Sequence, residues 1–314
     1  MRVLVTGASG FIGLPLSNTL RDLGFDVWGL VRFVSGGRPL PDVKLVRGDL
    51  NDYHSVVRAV EFVRPEIVVH LGALTPVSES FRMPVAYMQT NLIGTVNLCE
   101  ALRKHTFETL RVFIFAGTTE MFDHSGMIRP DTPLDPTSPY SVSKIGAVYY
   151  LRYMLKTYRF PYVVVVPTNT YGRAPVRQNH FVIEKIITEM LVGRKEIRMG
   201  NPDSVRDFMF REDHVNAYVT LIKAITDQGK DLIGETFTFG TGKGHTIKEV
   251  FEMIADITGW LGKVKWCAFT RPNEPRKIVV DYSKAKHVLG WEPKYGILDG
   301  LTKAVSEWEE VLTT

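Results

Sequence analysis

The sequence predicts an α/β protein: a doubly wound parallel sheet followed by a smaller C-terminal α/β lobe. Three observations lead there. Short continuous apolar runs alternate with helix-length amphipathic segments over the first half of the chain. A turn with glycines at 7, 10 and 13 joins the first run to the first helix. Beyond about residue 172 the alternation loosens into helical pieces separated by Gly/Pro-rich loops.

In chain order, strands are expected over residues 3–6, 26–31, 44–46, 67–70, 111–116 and 162–167. Helices are expected near 12–23, 53–63, 85–105 and 139–158. Parallel strands covered on both faces read as unbroken apolar runs, and the crossovers between them are right-handed. Further helical pieces are expected near 181–192, 212–225, 247–258 and 298–312. The expected division is a cofactor-binding domain over 1–172 and a substrate lobe over 173–314 closing over the carboxyl edge of the sheet, with part of the chain crossing back to that sheet.

Bulk properties narrow the class. The chain has 314 residues, 45% hydrophobic and 23% charged, which is ordinary globular composition with room for a sizeable core. A net charge of +4 with no run of five Lys/Arg gives no nucleic-acid footprint but suits anionic small substrates. Cys99 and Cys267 build neither a disulfide framework nor a zinc spacing, which points to a reducing cytoplasm. Residues 1–7 read as a strand entering a turn, not a signal peptide. No apolar stretch approaches the roughly 20 residues a membrane helix needs. The histidines show no metal-ligand spacing, and His70 reads as a core residue, so no metal is expected.

The turn Thr6-Gly7-Ala8-Ser9-Gly10-Phe11-Ile12-Gly13 follows a strand and opens a helix, the context of a Rossmann-type dinucleotide site. The first glycine permits the tight turn, the second lets backbone approach a pyrophosphate, and the third lets helix and strand pack closely. The helix N-terminus then faces the anion. At the end of the second strand, Leu30-Val31-Arg32 offers a guanidinium where an acid would hold a ribose 2′-hydroxyl. Arg32 therefore favours NADP, with NAD possible. Asp49 and Leu50 after the third strand, and Leu71, Gly72 and Ala73 after the fourth, are expected to line the cofactor; taken alone, Asp49 is a loop or capping residue.

Tyr140 and Lys144 stand four residues apart behind Pro139, so they share one helix face near its start. A phenol titrates near 10; an adjacent ammonium and a nicotinamide cation would bring it into the range of a useful base. The fifth strand ends in Phe115-Ala116-Gly117-Thr118-Thr119-Glu120, where doubly wound sheets place ligands. Thr118 is placed to bond a sugar hydroxyl beside Tyr140, and Glu120 to abstract a proton from carbon next to a ketone. The stripe over 149–155 reads as helix packing or a subunit interface.

These residues resemble the extended short-chain dehydrogenases/reductases, in particular the NAD-dependent epimerase/dehydratase family of sugar nucleotides. The resemblance spans essentially the whole chain: the glycine turn, Gly48-Asp49, His70-Leu71-Gly72-Ala73, Asn91, Thr118, Tyr140 to Lys144, and Asn169-Thr170-Tyr171-Gly172. It implies a Rossmann domain, a tightly held nicotinamide cofactor that Pro167 also touches, a homodimer or homotetramer built through two long helices, and an Asn91 that braces the active-site helix. Within the family the chain leans toward GDP-mannose 4,6-dehydratases, through Thr118-Thr119-Glu120, the segment from Gly200 to Phe208, and Arg32. It departs from them in its epimerase-like glycine turn and in Val166-Pro167, where an Arg is common. The dTDP-glucose dehydratases carry an Asp acid where Thr119 stands here.

The resemblance also implies a diphosphate-binding end. Arg206, Arg271 and Asn169 are candidates for the phosphates, Glu274 for a ribose hydroxyl, and Asn179, Ser80 and Thr119 for further substrate contacts. The plainer readings are a salt bridge for Arg206 and a helix cap for Asn179. The expected reaction is 4,6-dehydration of a nucleotide-diphosphate sugar through a transient 4-keto sugar, GDP-mannose favoured. Its rivals are a 4-epimerase, a UDP-glucuronate decarboxylase and an NADPH-consuming 4-keto reductase. A non-catalytic NADP(H) sensor is the rival of another class, opposed by the retention of both Tyr140 and Lys144.

Overall fold

The structure is a computed structural model and describes residues 1–32, 40–174, 181–270 and 272–312. Its elements run β1 (Arg2–Thr6), α1 (Gly13–Asp22), β2 (Asp26–Val31), β3 (Lys44–Arg47), α2 (Tyr53–Val63), β4 (Ile67–His70), α3 (Val77–Ser80), α4 (Pro84–Tyr87), a π-helical turn (Met88–Ile93), α5 (Gly94–His105), β5 (Val112–Ala116), a 3₁₀ turn (Thr119–Met121) and α6 (Pro139–Tyr158). They continue through β6 (Tyr162–Pro167), β7 (Asn169–Tyr171), α7 (Val182–Leu191), β8 (Glu196–Arg198), β9 (Val205–Phe210), α8 (Arg211–Thr226), β10 (Thr236–Phe239), β11 (Gly244–Thr246), α9 (Ile247–Thr258), β12 (Lys263–Lys265), β13 (Lys277–Ile278), α10 (Ser283–Leu289) and α11 (Ile297–Leu312).

The main sheet has the order β10-β6-β5-β4-β1-β2-β3. The pairings from β3 through β6 are all parallel. Strand order reverses between β1 and β4, the switch point at whose carboxyl ends ligands bind in doubly wound sheets. Val3–Val5, Ile67–Val69 and Val112–Phe115 are wholly buried, as the unbroken apolar runs required. Helix ends follow local chemistry. Asp52 caps α2 through the amides of His54 and Ser55. Ser138 and Ser141 form a capping box on α6, with Pro139 in its first turn. Thr246 and Glu249 do the same for α9, which Gly259 ends in the left-handed region.

The chain divides into two compact units. The first comprises residues 1–122, 133–166 and 218–237, and the second residues 123–132, 167–217 and 238–314. In the second unit, β9 carries β11 antiparallel and both β13 and β7 parallel, while α7, α9 and α11 pack on one another. The buried Asp207 carboxylate accepts from the amides of Thr241 and Gly242 and from the Thr241 hydroxyl, which fixes the turn after β10.

Two differences from expectation have physical causes. The single helix expected over 85–105 is interrupted: the amide of Gly94 reaches back five residues to Gln89 O, a π-type turn that apolar periodicity does not distinguish from α. The second unit's strands are two to six residues long, and β9 buries Arg206 and Asp207, which breaks the apolar run that marks a strand. Among the described residues, no helix is long and apolar enough to cross a membrane.

Candidate active site

The glycine turn is built by contact distances that exclude side chains. Gly7 has φ +67°, and a Cβ there would lie 2.9 Å from the amide nitrogen of Gly72. A Cβ on Gly13 would run into the Gly7 carbonyl, so only glycine lets α1 approach β1. Gly10 N donates to Gly7 O at 2.9 Å and closes the turn over Ser9, with Phe11 and Ile12 leading into α1. Helix α1 starts with no side-chain cap and no acid in its first turn, which leaves its amide end to an anion. The residues present therefore fit a dinucleotide pyrophosphate.

Around that turn, Leu50 is buried and its Cδ1 would lie 2.9 Å from a Cβ on Gly72. Leu71, Gly72 and Ala73 are half-buried in the loop leaving β4. Asp49 makes the bond of a loop residue, its carboxylate accepting from Asn51 N at 3.0 Å. Arg32 is exposed at the end of β2, and Arg47 lies opposite Val31 in the β2/β3 register.

The reacting cluster lies at the end of β5 and the start of α6. Thr118 caps the 3₁₀ turn by accepting from Glu120 N at 3.3 Å, and its hydroxyl bonds the Tyr140 phenol. Thr119 and Glu120 are buried in that turn, 4% and 7% exposed. Lys144 is buried too, and its Nζ donates to Ala116 O at 2.8 Å and lies 4.8 Å over the Phe115 ring. Thr118, Glu120, Tyr140 and Lys144 are thus gathered by one strand end and one helix start.

Burial dominates the electrostatics of this cluster. Burial raises the Tyr140 phenol above its ordinary value and the Glu120 charge adds to this, while the Thr118 bond opposes both. Burial also pulls Lys144 from 10.5 down to about 7. Desolvation is the largest cause for both groups.

Asn91 braces α6 as the resemblance implies. Its carboxamide accepts from Leu74 N at 2.8 Å, donates to Leu74 O at 3.0 Å, and donates to Ser143 Oγ at 3.1 Å. Ser143 in turn donates to Tyr140 O at 2.7 Å. Tyr87 packs edge-on against Tyr140 with ring centroids 6.2 Å apart and donates to Pro76 O. Sequence reasoning missed Tyr87, Thr95 and Ser143. The spacing 87–91–95 was the available signal, a polar stripe four residues apart on one helical segment.

Ser80 is fully enclosed, and its hydroxyl donates to Val77 O at 2.6 Å, so the structure does not offer it to a ligand. In the second unit, Asn169 is half-buried in β7, and its Oδ1 has no hydrogen-bond partner among the described residues. Arg206 is buried, donates to Val205 O at 2.9 Å and pairs with Glu274 at 3.1 Å, so these two candidates meet each other. Pro167 ends β6. Asn179 and Arg271 lie outside the described residues. Of the helical stripe, Leu151 and Met154 are core residues, whereas Tyr149 and Tyr153 are exposed, as is Val142 two turns earlier on α6.

Comparison with known proteins agrees with this geometry. The profile of the GDP-mannose 4,6-dehydratase family matches residues 4–304. A dTDP-glucose 4,6-dehydratase of Xanthomonas campestris pv. campestris is 29% identical over 97% of this chain and 92% of its own. The crystal structure of a UDP-glucose 4-epimerase of Thermotoga maritima with UDP-glucose is 29% identical, with a TM-score of 0.88 over 99% of this chain and 100% of that one. A UDP-glucose 4-epimerase of Thermus thermophilus in complex with NAD is 28% identical, with a TM-score of 0.87 over 98% of this chain and 99% of that one. A glycine turn at a switch point, a buried Tyr/Lys pair at the next strand end and a match over nearly the full length lead to one conclusion: the chain belongs to the GDP-mannose 4,6-dehydratase family of the extended short-chain dehydrogenases/reductases, the NAD(P)-dependent dehydratases and epimerases of sugar nucleotides.

Proposed function

We propose that the chain is a 4,6-dehydratase of a nucleotide-diphosphate sugar, with GDP-mannose the favoured substrate and NADP the favoured cofactor. One observation carries the reading. The buried Glu120 belongs to the 3₁₀ turn whose cap, Thr118, bonds Tyr140. A 4-epimerase needs the Tyr/Lys pair but no carboxylate for the neighbouring carbon, so a buried acid here supports elimination.

A dinucleotide held at the glycine turn would supply the hydride acceptor for the sugar C4 and the hydride donor for C6. Tyr140, aligned by Thr118, takes the proton of the 4-hydroxyl as the ketone forms. The ketone acidifies C5–H, and Glu120 removes that proton. Glu120, now protonated, is the acid in this turn that delivers a proton to the C6 hydroxyl, which departs as water. Thr119, where the dTDP-glucose dehydratases have an Asp, is a poor acid for that step. As hydride adds at C6, a proton returns to C5 by way of Tyr140 and Glu120, so one water is lost and no cofactor is consumed.

Arg32, exposed beyond β2, and Arg47 across the register suit a 2′-phosphate, which supports NADP. Arg206, Asn169 and Glu274 are proposed to hold the diphosphate and ribose, and Arg271, Asn179 and Thr119 to complete the substrate contacts. The exposed stripe of Val142, Tyr149 and Tyr153 supports a homodimer or homotetramer through α6.

Mass spectrometry of products from GDP-mannose, UDP-glucose, UDP-glucuronate and dTDP-glucose tests the reaction. A loss of 18 mass units without net NADPH change is expected. An unchanged mass with inverted C4 identifies an epimerase, and a loss of 44 a decarboxylase. Glu120→Gln should abolish water loss while leaving hydride transfer from C4 measurable.

A further inference from the structure

A buried chain of hydrogen bonds runs from the glycine turn to the catalytic helix, and each of its protons has one direction. Thr95 Oγ1 donates its single proton to Asn91 O at 2.6 Å. It therefore accepts from His70 Nε2, 3.0 Å away, so Nε2 carries the ring proton. Burial and the charge of Lys144 hold His70 down at about 3, hence neutral, and Nδ1 is an acceptor. Thr6 Oγ1, 2.7 Å from Nδ1, donates to it, and accepts from Gly72 N at 3.0 Å. Thr6, His70, Thr95, Asn91 and Ser143 are all buried, at most 2% exposed.

The geometry points to His70 as a positioning residue of the active site: its Nε2–H tautomer, through Thr95, sets the π-helical turn at Asn91 and thereby the Tyr140 hydroxyl. The route is short. Thr95 grips the Asn91 carbonyl, the Asn91 side chain holds Leu74 and Ser143, and Ser143 holds Tyr140 O. The π-helical turn supplies the register. Asn91 lies inside that turn, and Thr95 fixes its carbonyl from four residues further on. His70 is brought to Thr6 by the parallel register of β1 and β4, in which the two are partners. The same imidazole thus ties the residue before Gly7 and the loop carrying Gly72 to the helix carrying Tyr140.

The inference rests on Tyr140 being the acid/base of the proposed reaction, and Tyr140→Phe tests that separately. If Tyr140→Phe keeps wild-type turnover, the functional reading fails, whatever His70 does. The test of His70 uses Thr95→Val, His70→Gln and His70→Asn. Gln reaches far enough to present an amide N–H to Thr95, whereas Asn is matched in length to Thr6. With whichever of GDP-mannose, UDP-glucose or dTDP-glucose is turned over, Thr95→Val and His70→Asn should lower kcat roughly 10- to 100-fold at unchanged KM, the scale for a slightly misplaced acid/base. His70→Gln should keep kcat within a few-fold of wild type. Crystal structures of the same variants give a readout independent of substrate. The Tyr140 hydroxyl should leave its Thr118 bond in Thr95→Val and keep it in His70→Gln. An unmoved Tyr140 in Thr95→Val, or wild-type kcat in Thr95→Val and His70→Asn with only a lowered melting temperature, overturns the inference and leaves His70 a packing residue.

Discussion

Lys144 on α6 donates to the carbonyl of Ala116, the last residue of β5, at 2.8 Å, and so welds the catalytic helix to the sheet through an amine that is itself almost wholly buried. The placement suits the chemistry and opposes the fold, because a charged amine out of water destabilises the folded state.

That opposition has a measurable sign. The unfolded chain holds the Lys144 proton up to 10.5, whereas the folded chain releases it at about 7. Between those values the unfolded state binds more protons, so the Lys144 contribution to stability rises with pH across the window, by at most about 1.4 kcal/mol per pH unit. Lys144→Met should remove this rise, equal or exceed wild-type stability at pH 6, and lose turnover by at least about 10²-fold. Denaturant midpoints at pH 6 and pH 9 together with kcat check it, and a variant less stable than wild type at pH 6 contradicts it.

Acid acts through two histidines. Burial pulls His70 and His214 from 6.5 to about 3. From pH 6.5 downward the unfolded chain takes up protons that the folded chain refuses, so stability falls as pH drops toward 3. The slope approaches about 1.4 kcal/mol per unit for each histidine. The interval from pH 6 to 5 lies above the ordinary carboxylate range and below most of the Lys144 transition, so denaturation midpoints there report chiefly the histidines. His70→Gln should halve the slope, and a flat wild-type midpoint would contradict the assignment.

The proposed 2′-phosphate contact of Arg32 makes a prediction about the choice of dinucleotide. Arg32→Ala should weaken NADP binding by about 1.5–3 kcal/mol, roughly 10- to 100-fold, as expected for a lost charge-assisted bond. NAD affinity should stay within a few-fold. Isothermal titration with both nucleotides decides this, and equal losses for both would remove the 2′-phosphate assignment.

Arg206 is assigned to the diphosphate although it already pairs with Glu274 at 3.1 Å. Arg206→Met should raise KM for the sugar nucleotide by roughly 10-fold or more without changing NADP affinity. A variant with normal KM and lowered stability would make the pair purely structural.

The legible parts of the site were those encoded within one turn of chain. The glycine turn and the Tyr140/Lys144 pair each depend on spacings of three or four residues, and the structure realises them in a glycine turn and on the first two turns of α6. The His70 relay was not legible as a device, since it exists only once β1 and β4 align Thr6 with His70. The π-helical turn was hidden because apolar periodicity over 85–105 does not distinguish one wide turn from the α-helix around it. The burial of the Tyr140 phenol was not legible because desolvation depends on how deeply α6 sits, which spacing does not report. The enclosure of Ser80 was likewise not legible: its polarity was visible and its burial was not.

The seventh strand of the main sheet, β10, is drawn from residues 236–239, and the first unit also takes in residues 218–237. A ribosome that has released only residues 1–172 has therefore emitted six of the main sheet's strands, with the β6 flank still baring its amide and carbonyl groups. Such a nascent chain carries an open edge until some seventy further residues follow at about 5–20 residues per second. That delay in synthesis lengthens the chain's exposure to misassembly, and a fragment cut at residue 172 would keep the open β6 edge permanently.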